Sequence, residues 1–111
     1  MNQPLAIRAI LIETDKATIR EIEFRGTLEH AYELLECQLI ESVDLGPDMI
    51  FVDEEGLLRN ETIAKGYFKW RDYQQPLAGR GLITGFDSTK GDWISTDMTV
   101  DHATAWVTWL P

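Results

Sequence analysis

The stretch from Leu5 to Ile12 reads LAIRAILI and is apolar on both alternating faces, with Arg8 as its one interruption. A strand with one wet face alternates apolar and polar residues, so a run apolar at almost every position reads as a strand covered on both sides. Thr14-Asp15-Lys16-Ala17 is short and polar and fits a hairpin connection. The next segment, TIREIEF at 18–24, does alternate. Ile22 and Phe24 share a face with Thr18 and Arg20, while Glu21 and Glu23 share the other, as in a half-buried strand with a wet side.

Gly26 ends that strand and Thr27 reads as the N-cap of a helix over 28–36. Leu28, Ala31, Leu34 and Leu35 recur at helical spacing. Glu29 suits the positive end of this helix, whereas Glu33 and Glu36 lie toward its negative end, where each costs a few tenths of a kcal/mol. That placement marks a candidate exposed acidic surface. Residues 38–45 read as a third strand, Gly46-Pro47-Asp48 as a turn and 49–52, MIFV, as a short buried strand. Asn60 is placed to cap a short helix in ETIAKGYF, weakened by Gly66 and followed by an aromatic-rich loop ending at Pro76. GLITGF at 81–86 reads as the last strand, and 87–92 as a polar loop. In the tail, Val100, Ala103, Trp106, Val107 and Leu110 fit a helix capped by Thr99 or Thr96, although WVTWL also allows a strand. The helix is the expectation taken forward.

The whole is read as one α+β domain over 1–111: a mostly antiparallel sheet of four to six strands with two or three helices. With 44% hydrophobic residues, a chain of this size can bury a core without disulfides or a structural metal. The single cysteine, Cys37, cannot form an internal bridge and points to a reducing, cytoplasmic setting. The start lacks the basic and apolar regions of a signal peptide, and no apolar run is long enough to span a membrane. The net charge of −9 lies entirely in residues 1–58, which hold 13 acids and four bases; residues 59–111 are neutral. Such a field repels nucleic acid and attracts basic partners.

The run IESVDLGPDMIFVDEEGLLRNETIA, followed by LAGRGLITGF and GDWIST, resembles a phage- and plasmid-associated family, domain of unknown function 3846. The corresponding residues are Asp53, Glu54, Gly56, Asn60, Ala64, Gly81 and Gly85. The resemblance implies a small α+β fold and an accessory role on a mobile genetic element. It carries no activity with it.

Candidate chemistry is sparse. Asp53-Glu54-Glu55 could offer oxygen ligands to a hard cation, but the spacing is not that of a calcium loop, and neighbours on a strand end point to opposite faces. A polar turn closing a buried strand is the simpler reading. His30 and His102 have no ligand or general-base partner at useful spacing. Cys37 stands among acids, which raise a thiol pKa. Gly79-Arg80-Gly81 and Gly85 lack the motifs of phosphate-binding loops and suggest close backbone approach. We therefore expect no metal, no cofactor and no catalytic residue.

Two surfaces remain. Glu21, Glu23, Glu33 and Glu36, with Glu41 and Asp44 beside them, form a candidate acidic surface for a host protein with a basic groove. Lys65, Tyr67, Phe68, Lys69, Trp70, Arg71 and Tyr73 interleave bases and aromatics. Tyr67, Trp70 and Arg71, with Arg80, are the candidate site for a nucleotide-like ligand. The leading expectation is a non-enzymatic binding protein, with a small-ligand binder second, a hydrolase using Asp53 and Glu54 last, and homo-oligomerisation left open.

Overall fold

A computed structural model describes residues 6–111 of the chain. Its centre is a six-stranded antiparallel sheet built from β1 (Ile7–Glu13), β2 (Thr18–Phe24), β3 (Ile40–Asp44), β4 (Asp48–Asp53), β7 (Gly81–Asp87) and β8 (Asp92–Ile94). The strand order is β2-β1-β7-β4-β3, with β8 paired to the far end of β7. Leu5, the first residue of the expected strand, lies outside the described residues.

The two-sided apolar run does what its pattern demands. Ala9 and Leu11 pack on one face of the sheet with Phe24, Ala31, Leu35, Phe51 and Leu82. Ile10 and Ile12 pack on the other with Ile50, Val52, Phe68, Trp70 and Ile83. Helix α1 (Leu28–Leu35) covers the first face. The second face is covered by a three-stranded sheet of β5 (Tyr67–Trp70), β6 (Leu77–Ala78) and β9 (Val107–Leu110), together with α3 (Val100–Trp106). A short helix, α2 (Asn60–Ile63), leads into β5. The chain is thus an α+β domain in three layers, helix on sheet on sheet.

Thr27 caps α1 as read, its hydroxyl accepting from the His30 amide at 3.1 Å. Leu28 departs from the expected apolar stripe and is 51% exposed. The helix ends at Leu35, because Glu36 turns left-handed at φ 55°. Further expectations need correction. Asn60 is the first residue of α2 and Arg59 its N-cap, with no side-chain cap bond. The aromatic segment at 67–70 is a strand, not a loop, with Phe68 and Trp70 turned into the core. The tail is both alternatives in sequence: Thr99 caps α3, and the β-branched, aromatic end becomes β9. Thr96 does not cap it; its buried hydroxyl donates to Asp48 Oδ1 at 2.7 Å. The expected polar loop at 87–92 ends in the short β8.

Candidate functional site

β3 forms one edge of the central sheet, and beside it lies a cleft of about 230 Å³. Val43 of β3 and Leu45 just after it line one side, Trp70 at the end of β5 with Asp72 and Tyr73 beyond it another, and Trp106 at the end of α3 the third. Asp44 is also among its lining residues, with its side chain alternating to the face opposite Val43. The aromatic wall forms because β5 buries alternate residues: Phe68 and Trp70 face the core, and Trp106 reaches Trp70 with ring centroids 5.8 Å apart. Arg71 lays its guanidinium 5.1 Å from the centroid of Trp106, so one indole of the wall already holds a cation of this chain. A second cavity, of about 290 Å³, continues along the same edge. Glu41, Glu54, Leu57, Gln75 and Pro76 are among its walls, and Tyr73 is common to both.

The residues singled out from the sequence fall into three groups. Trp70 stands in the cleft wall, and Arg71 packs on its Trp106. Tyr67 does not join them, because it alternates to the outer face of β5. Arg80 is held elsewhere, in a two-bond pair with Asp15 at 3.0 Å for each contact and in a bond to the Leu34 carbonyl at the end of α1. The four-residue ligand site is therefore not assembled.

The four glutamates divide as well. Glu21 and Glu23 pair across β2–β1 with Ile10 and Arg8 and so share the face that α3 and the second sheet cover. Glu33 lies on α1 and Glu36 is its C-cap, on the opposite face. Glu21 is bonded to Arg8 at 2.7 Å, and Glu36 to Lys65 at 3.1 Å. Glu23 and Glu33 are exposed and lie in no ion pair among the described residues.

The remaining candidates have structural roles. Asp53 is buried, and its carboxylate accepts from Arg59, Thr62 and the Glu55 amide at 2.7, 2.6 and 2.9 Å. It organises the turn and the start of α2, and its neighbour Glu54 is exposed. Burial pushes the Cys37 thiol up to about 11, with the Asp53 charge adding to it, so the group is a neutral thiol at pH 7. His30 stacks on Phe24, and its Nδ1 accepts from the Arg25 amide at 3.0 Å; burial lowers its pKa. His102 stacks on Trp106. Among the described residues, no group of three or more His, Cys, Asp or Glu is placed to hold a metal ion.

Compared with protein families, the chain matches the one described as Domain of unknown function (DUF3846) over residues 7–108. The chain belongs to that family. No curated protein and no solved structure matches it.

The residues that carried the DUF3846 resemblance are mostly structural. A Cβ on Gly81 would stand 2.9 Å from Phe68 Cζ, and one on Gly85 would stand 2.7 Å from the Ser95 carbonyl. Both lie on β7: at Gly85 the backbone contact excludes a side chain, and at Gly81 the Phe68 ring would have to shift. Asp53, Glu54 and Gly56 line the second cavity of the DUF3846 domain, but Asp53 is occupied by its own network.

Sequence reading found Trp70 and Tyr73 but not the cleft. Val43, Leu45, Asp72 and Trp106 come from three distant segments. The available signal was the alternation in YFKW, which marks a strand with one buried aromatic face.

Proposed function

We propose that this chain is a non-enzymatic binding protein that engages a partner with a basic surface, and that the cleft beside β3 receives a cationic side chain of that partner. The observation that carries the reading is a cavity with Trp70, Tyr73 and Trp106 in its wall and Asp72 among its lining residues, beside a β3 edge that carries Glu41 and Asp44. Aromatic faces attract cations, and nearby carboxylates strengthen the attraction while repelling phosphate. The same charges make the nucleotide-like alternative the weaker one, since its Arg80 is already engaged by Asp15. Against catalysis stand the saturated Asp53, the neutral Cys37 and two stacked histidines.

The wider setting rests on two sequence readings: the family resemblance, which implies an accessory protein of a mobile genetic element acting on a host protein that handles nucleic acid or defence, and the single cysteine, which points to the cytoplasm. The acidic first half would speed encounter with such a partner. Among the described residues, no helix is long and apolar enough to cross a membrane.

The test is a titration with an oligo-arginine peptide at rising salt. The expected result is saturable binding that weakens with salt and falls about tenfold when Asp44 and Asp72 are both changed to Asn. Replacing Glu21, Glu23, Glu33 and Glu36 with Gln should cost less. Binding indifferent to Asp44 and Asp72 but lost with the four glutamates would move the site off the cleft. Absence of any binding would sink the basic-partner reading.

A further inference from the structure

The free edge and the paired cavities together specify how a partner would dock. We propose that β3 is a strand-addition edge, on which an extended basic segment of the partner lies as a seventh strand and sends alternate side chains into the two cavities. The proposal rests on the basic-partner reading above.

The hydrogen-bond phase of β3 establishes the edge. Leu45 donates its amide to the Asp48 carbonyl at 2.9 Å, and Glu54 donates to the Leu39 carbonyl at 3.0 Å. In an antiparallel ladder such pairs recur at every second residue, so Glu41 and Val43 are also turned toward β4. The N–H and C=O groups of Ile40, Ser42 and Asp44 therefore point away from the sheet. Ser42 and Asp44 are exposed, and among the described residues β3 pairs with β4 alone.

The side-chain phase of β3 establishes the cavities. Val43 packs with Ile50 and Val52 on the face that the second sheet covers, so Glu41 and Leu45 share that face. Val43 and Leu45 border the first cavity, and Glu41 borders the second. Successive same-face residues of a strand stand about 6.5–7 Å apart. A guest strand in register with β3 thus presents alternate side chains to the two cavities. That is the arrangement in which strand addition gains affinity from main-chain bonds and specificity from pockets.

Charge selects the occupant. Asp72 lines the first cavity and Glu41 and Glu54 the second, while Asp44 carries its charge on the opposite face of the same edge. Arg71 packs on Trp106, but no Lys or Arg lines either cavity among the described residues. A second copy of this chain would crowd Glu41 and Asp44 against their own duplicates along one seam, which is unfavourable between adjacent strands. Acids on an edge also discourage promiscuous pairing, but that role requires no pair of cavities in phase with the strand.

The experiment uses a peptide alternating threonine and arginine and two versions of it, N-methylated on the arginine or on the threonine amides. In strand addition only one set of guest amides bonds to β3. One methylated peptide should lose about tenfold or more in affinity while the other stays close to the parent. Amide exchange at Ser42 and Asp44 should slow with the parent peptide. Ser42→Pro, which removes an outward N–H without touching the β4 ladder, should weaken binding, whereas Ser42→Ala should not. If the parent binds and both methylated forms bind as well as it does, the basic-partner reading stands and strand addition is overturned. If the parent does not bind, both fall. A dimer in sedimentation, with Ser42 already protected, would name a second copy as the occupant and overturn the proposal.

Discussion

The central sheet ends in two acidic strands, and the protein treats them differently. At β2, Glu21 is bonded to Arg8, whose Nη1 also donates to the Thr96 carbonyl at 2.9 Å and to the Met98 carbonyl, and α3 lies against the strand. The Glu21 charge is thus met by a cation of this chain, although among the described residues Glu23 on the same strand is not. At β3, Glu41 and Asp44 are exposed, lie in no ion pair among the described residues, and border two cavities. The lesson is that an acidic count along a sequence does not locate an acidic surface. What matters is which carboxylates have found a cation of their own.

The comparison breaks first at Asp53, which anchors the turn beneath the second cavity. Asp53→Ala would leave Thr62 and Arg59 without their shared acceptor, and a loss of about 2–4 kcal/mol is expected in chemical denaturation. Arg59 is 29% exposed at its side chain, so solvent softens the effect relative to a fully buried pair. A near-neutral result would mean that the acid triplet is not a structural hinge and that the hydrolase reading of Asp53 must be reopened.

The next pair of variants measures the two edges directly. Arg8→Ala removes the clamp between β2, Thr96 and Met98, and should cost about 1–2 kcal/mol. Asp44→Asn at β3 retains the side-chain oxygen that accepts from the Gly46 amide at 2.8 Å, and should change stability by less than about 0.5 kcal/mol. Equal losses in the two variants would show that the fold ties down the side chains of β3 as firmly as those of β2.

How much of this was legible depends on the range of the forces involved. β1 was legible because burial on both faces writes itself into consecutive residues, Ala9 through Ile12. α1 was legible because Thr27 caps it through a bond three residues away. β5 was missed because the alternation in YFKW is only four residues long and Asn60 and Gly66 drew the segment into a weakened helix and a loop. The tail was ambiguous because Val107, Thr108 and Trp109 suit a strand while Val100, Ala103 and Trp106 suit a helix, and the protein uses both. Glu41 and Asp44 were noticed among the acids, but nothing local distinguishes them from Glu21. The distinction is made by Arg8, Thr96 and Met98, which are brought to β2 by tertiary folding.

A pH titration sharpens the comparison further. Bonding to Arg20 holds the Glu13 carboxyl below its ordinary 4.5, and bonding to Arg80 holds Asp15 below its ordinary 3.8. A carboxyl whose folded pKa is depressed contributes stability that is present above the unfolded value and is lost as pH falls through the folded one. Both groups belong to the β1–β2 hairpin. Acidification below about pH 4.5 should therefore loosen that hairpin first, as read from amide exchange, with β3 following only on global unfolding. Loss of protection at β3 before β2 would reverse the assignment of which edge is electrostatically tied.

The smallest effect comes from the acids of α1, where local and tertiary electrostatics oppose each other. Considered on the helix alone, Glu33 and Glu36 lie near a negative helix end, and neutralising either should stabilise by a few tenths of a kcal/mol. Tertiary contacts change the sign for one of them. Glu36 is the left-handed cap, with Lys65 at 3.1 Å and Arg80 at 4.0 Å from its carboxylate. The Lys65 side chain is only 14% exposed, which makes its loss of a partner more costly than at a bare surface. Glu36→Gln should therefore destabilise by up to about 1 kcal/mol, while Glu33→Gln should be neutral or slightly stabilising. Thermal melts of the two single variants at low and high salt would decide it, because an ion-pair origin requires the Glu36 effect to shrink with salt. If both variants stabilise, the contact with Lys65 contributes nothing in solution. Glu36 would then rejoin Glu23 and Glu33 as a charge free to meet a partner, and the contrast between paired and available carboxylates would hold only at the sheet edges.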